Sequence, residues 1–124
     1  MTINPEDLRR NLLELHRALV DSEREAHERA NGRVTDRAFL DLLIKDPALS
    51  WLGALTAIIV RLDELVDDAA PRGEELKDCI AEVRKLLAPD PAGTPFQRKY
   101  AEIMQRSPAV VVAHGAAMSH LRRR

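Results

Sequence analysis

Residues 47–60, PALSWLGALTAIIV, form a run of fourteen without a charged side chain, in a chain where 31% of residues are charged. Polar residues return at Arg61, Asp63 and Glu64, yet the apolar beat continues through Leu62, Leu65 and Val66. Leu52, Leu55, Ile59, Leu62 and Val66 are spaced three, four, three and four apart, the period of one helix face. Trp51, Ile58 and Leu65 widen that stripe, while Gly53, Ala54, Ala57 and Val60 fill the opposite side with side chains small enough for another helix to approach closely. A helix that is apolar nearly all round is a buried one. The pattern therefore predicts a central post over 47–69. A bilayer crossing needs about 20 apolar residues, so the run argues against a membrane span.

The same periodicity places the other helices. One spans 5–30, with Leu8, Leu12, Leu15, Leu19 and Ala26 as its core stripe and Leu13 and Val20 on a shoulder. A shorter one spans 36–45 and buries Phe39, Leu40, Leu43 and Ile44. Helices over 74–87, 95–106 and 108–123 follow, the last facing inward through Val111, His114, Met118 and Leu121. Asn4-Pro5, Asp46-Pro47, Thr94-Pro95 and Ser107-Pro108 mark four starts. In each, a side chain can accept from the open N–H groups of the first turn, and proline has no N–H to leave unpaired there. Thr94 and Gln97 have the spacing of a capping box. The proline-rich stretch 89–95 links the two C-terminal helices to the rest of one domain. No stretch alternates as a strand, so the expectation is all-α: five to six helices around the central one.

Composition changes little in that picture. A single cysteine, Cys79, excludes an internal disulfide framework and suits a reducing compartment. With no signal-like apolar segment at the start, the cytoplasm is the expected location. The net charge of −1 supplies no field to recruit nucleic acid, but charge is unevenly spread. Residues 1–90 hold 13 Lys/Arg against 19 Asp/Glu, and residues 91–124 hold six against one. The acidic patch Asp63, Glu64, Asp67 and Asp68 lies near the negative pole of its helix and costs stability unless something opposes it. The basic C-terminal segment (Arg98, Lys99, Arg106, Arg122–Arg124) is the favoured counterpart, and a bound hard cation the other.

The segments LLIKDPALSWLGALTAIIVRLDELVDD and FQRKYAEIMQRSPAVVVAHGAAMSHL resemble a family of small, uncharacterised bacterial all-helical proteins. The resemblance implies a bacterial cytosolic helical bundle. Its motifs are packing patterns, so it supplies no activity.

Candidate chemistry is sparse. His16, Glu23 and His27 lie along one edge of the first helix, and Glu23 with His27, one turn apart, are the candidate metal ligands. Neither a Glu-x-x-His pair nor a His-Glu-x-x-His motif supports them. His114 falls on an apolar face, where a neutral imidazole needs a hydrogen-bond partner, and His120 points to solvent. Nucleophile elbows and phosphate loops are missing, which favours a non-enzyme. The terminal arginines lack interleaved aromatics for stacking bases, which argues against nucleic acid. The leading expectation is a homodimer acting through protein–protein contact, because the apolar surface exceeds what one short bundle can hide. The alternative is a small-molecule or metal binder with a pocket lined by His16, Trp51, Asp63, Tyr100 and His114.

Overall fold

The computed structural model describes residues 4–67 and 73–121. Within them the chain forms seven helices and no strand. They are α1 (Pro5–Asn31), α2 (Asp36–Lys45), α3 (Pro47–Ser50), α4 (Gly53–Asp67), α5 (Gly73–Leu86), α6 (Pro95–Met104) and α7 (Pro108–Leu121). The predicted caps are in place. Asn4 Oδ1 accepts from the amides of Glu6 and Asp7, Asp46 from Ala48, and Ser107 Oγ from Val110. Thr94 and Gln97 form the reciprocal capping box. α1 ends at Gly32, whose φ of 88° is open to glycine and strained for other residues.

Four helices close a ring: α1 packs on α4 and α7, and α5 packs on both of those. The ring buries Leu8, Leu12, Leu15 and Leu19 of α1 against Leu55, Ile59 and Leu62 of α4, Cys79, Ile80 and Val83 of α5, and Val110, Ala117 and Leu121 of α7. α6 lies on α7 and adds Phe96, Tyr100 and Ile103, while α2 packs on α3. The link 89–95 is a tight corner. Asp90 receives the Gly93 amide, and the Gln97 side chain reaches back to the Lys85 carbonyl.

Several expectations need correction. The helix predicted over 47–69 is interrupted by a turn at Trp51 and Leu52, leaving the short α3 and then α4. The turn aims the Trp51 indole at Glu23 of α1 while Leu49 and Leu52 both stay buried. The post of the bundle is α1, the element flanked by α4 and α7. α4 is not hidden all round either: Leu55, Ile58 and Ile59 are buried, but Gly53, Ala54, Thr56, Ala57 and Val60 are exposed.

α7 is rotated relative to the expectation. Val110, Ala117 and Leu121 face the core, His114 and Met118 lie at its edge, and Val111 is exposed. Both registers obey the helical period, and with no Asp, Glu, Lys or Arg on α7 nothing in the sequence marks its outside. Ala117 is fully buried, and its small side chain lets the helix backbones draw together there. On α2, Phe39 is buried, but Leu40 and Ile44 face outward.

Candidate functional site: two polar ties and the faces around them

Among the described residues Glu23 is the buried charged one, at 6% exposure. It extends the α1 leucine stripe by one position, four residues beyond Leu19, so helical geometry carries a carboxylate into the core. Its Oε2 accepts from Trp51 Nε1 at 3.0 Å, and its Oε1 accepts from the Arg106 guanidinium at 2.7 Å. One side chain thus ties α1 to the α3–α4 turn and to the end of α6. A buried carboxylate is tolerated when each oxygen has a donor, as here. Its proposed metal co-ligand, His27, is elsewhere engaged: the ring lies 6.2 Å from Phe39, and Nδ1 is within 3.4 Å of Asn31 Nδ2. Among the described residues no cluster of three or more His, Cys, Asp or Glu side chains is arranged to hold a metal ion.

The second tie is Tyr100 with His114. Tyr100 is fully buried and its hydroxyl is 2.6 Å from His114 Nδ1. Burial pushes the phenol pKa well up, so it remains a neutral partner for the imidazole. Trp51, Phe96, Tyr100 and His114 form a chain of neighbouring rings, with centroids 5.0, 5.7 and 5.4 Å apart. The two ties are therefore joined by packed aromatic rings.

The remaining nominated residues lie on the α1–α4 seam. His16 Nε2 meets Thr56 Oγ1 at 3.0 Å. That hydroxyl also lies 3.3 Å from the Leu52 carbonyl. Partial burial lowers the His16 pKa, because desolvation disfavours the imidazolium. Asp63 is half exposed and pairs with Arg9 at 2.5 Å. The expected pocket residues thus divide: Trp51, Tyr100 and His114 follow one ring chain, while His16 and Asp63 lie on the seam. A groove of about 450 Å³ between α1 and the α6–α7 corner is lined by other residues, including Arg17, Asp21, Glu25 and Arg106.

Of the acidic patch, Asp63 has a partner other than the basic C-terminal segment. Asp63 is matched by Arg9 of α1, and Arg106 is committed to Glu23. Asp68 and Arg122–Arg124 lie outside the described residues. His120, expected in solvent, is half-buried, with Nε2 2.7 Å from Asn11 Nδ2. Cys79 is fully buried, and burial raises its thiol pKa.

Sequence reasoning passed over the outward faces. α7 carries no Asp, Glu, Lys or Arg, yet Val111 and Val112 are exposed, Val112 at 73%. The signal was legible as a second uncharged run, 107–121. No protein-family model, curated protein or solved structure matches this chain. No helix among the described residues is long and apolar enough to cross a membrane.

Proposed function

We propose that the protein works by protein–protein contact and that it associates with itself. The observation that supports this reading is the apolar character of outward faces in a heavily charged chain. A surface helix ordinarily carries charge on its outer side. The outer side of α4 as far as Val60, and that of α7, instead present Gly53, Ala57 and Val60, and Val111 and Val112. Exposed apolar side chains grouped on a helix face mark contact sites. The polar ties suit a scaffolding role, because both are closed: each Glu23 oxygen has a donor, and the Tyr100 hydroxyl has His114. Size-exclusion chromatography with light scattering tests the reading. An assembly of two or more chains at micromolar concentration supports it, and a strict monomer at several hundred micromolar overturns it.

A further inference from the structure

Helix α2 is held differently from the rest of the fold. α1, α4, α5, α6 and α7 each bury at least three side chains, whereas α2 buries Phe39 alone. Among the described residues, Phe39 and Leu49 are the buried apolar side chains that stand outside the main core, and the half-buried Leu43 links α2 to that core. The extensive helix contact of α2 is with the four-residue α3, not with the ring. A helix of ten residues is marginal by itself in water, so its order comes from what holds it down. Few buried apolar contacts mark a segment that opens at less cost than the whole molecule.

One residue of α1 gathers the polar contacts that hold this helix. The Arg24 guanidinium donates to Asp36 Oδ1 and to the Val34 carbonyl, both at 2.7 Å, and lies 5.5 Å from the centre of the Phe39 ring. One turn on, Glu28 pairs with Arg24 at 3.5 Å and accepts the Val34 amide at 3.0 Å. Both main-chain polar groups of Val34 are thereby clasped by α1, just ahead of α2. The His27 ring, 6.2 Å from that of Phe39, completes the seat. The segment also has a joint at each end. Gly32 turns the chain out of α1 at a φ of 88°, and the Trp51–Leu52 turn brings it back. Trp51 is itself anchored to the body of the bundle, by Glu23 and against Phe96.

We infer that residues 33–50 are a hinged arm, latched by Arg24, that opens from the ring of helices as one unit while the ring stays folded. Opening breaks the Arg24 contacts to Val34, Asp36 and Phe39 and draws Leu43 from the edge of the core. The core itself is left intact, because neither Phe39 nor Leu49 belongs to it. Opening uncovers Phe39, Leu43 and Leu49 beside Leu40 and Ile44, which are already exposed. α2 thus carries apolar side chains on two faces, one open to solvent and one governed by the latch. Arg24 and Glu28 both lie on α1, so their pair survives opening and keeps the guanidinium placed to receive the arm again. Opening of the arm does not require self-association.

Hydrogen exchange of the folded full chain, read by mass spectrometry at low micromolar concentration and in low urea, tests the arm. The hydrogen-bonded amides of 39–46 report α2, and those of 12–19 and 55–62 report α1 and α4 of the ring. In the wild type the α2 amides should exchange at least about a hundredfold faster than the ring amides and at least about tenfold slower than free peptide. Urea should accelerate them less than the ring, because the arm exposes less surface on opening. Arg24→Gln and Phe39→Ala should each speed α2 exchange at least about fivefold and leave the ring within about twofold. Wild-type α2 amides that match the ring in rate and urea dependence open only with the whole molecule, which overturns the arm. Amides of α2 at the free-peptide rate overturn it too, since nothing then holds the arm closed. Arg24→Gln that leaves α2 unchanged, or speeds the ring as much as α2, overturns the latch.

Discussion

Replacing Glu23 by alanine should loosen three elements at once, and the structure sets the size of the effect. The change strands the Trp51 indole N–H, a partly buried donor, at a cost of about 1–3 kcal/mol. It also removes the anion facing Arg106. Breaking a fully buried pair costs about 3–5 kcal/mol, but the Arg106 side chain is 42% exposed and can rehydrate, so only a fraction applies. The expected total is about 2–3 kcal/mol of unfolding free energy. Glu23→Gln keeps an acceptor for Trp51 and should cost about 1 kcal/mol, chiefly the lost charge on Arg106. Urea unfolding followed by far-ultraviolet circular dichroism measures both. Trp51, the single tryptophan, reports the local change through its emission maximum. If Glu23→Ala loses less than about 0.5 kcal/mol, the surface-substitution range, the buried tie described here is not a stability element.

Three further outcomes follow from the same geometry. Gly93→Ala would set a Cβ 2.2 Å from Gln97 Oε1, expelling that group from the capping box, and should cost about 1 kcal/mol in thermal or urea unfolding. The His16 pKa lies below its usual 6.5, so the unfolded chain takes up the proton first and the His16 contribution to stability falls as pH drops below that value; NMR titration of the ring should give a folded pKa under 6.5. Glu28 accepts the Val34 amide beside Arg24, and these contacts hold its carboxyl below the ordinary 4.5. Its contribution is therefore complete above that value and disappears as pH falls through the lowered one, which a side-chain NMR titration should show as an acid-shifted midpoint.

How far the sequence was legible depends on what each feature needed. Helix starts were local chemistry, so the predicted caps at Asn4, Asp46, Thr94 and Ser107 are found where expected. The α1 stripe Leu8, Leu12, Leu15 and Leu19 was legible because charged residues surround it on the helix. Where the surroundings were uncharged, periodicity lost its reference. The outside of α7 and the turn at Trp51–Leu52 went unseen for that reason. Glu23 lies at the edge of the α1 stripe, but its partners Trp51 and Arg106 are 28 and 83 residues away, and nothing local signals such a tie. The same holds for Asn11 with His120 and Tyr100 with His114, which only the closed ring of helices brings together.

Self-association is tested most directly at the exposed apolar side chains themselves. Methyl NMR on the wild-type chain, diluted from several hundred micromolar to a few, reads Val60 of α4 and Val111 and Val112 of α7. Self-association predicts that the methyl signals of at least one of these faces move with concentration. Signals of all three residues that do not move across that range would contradict it.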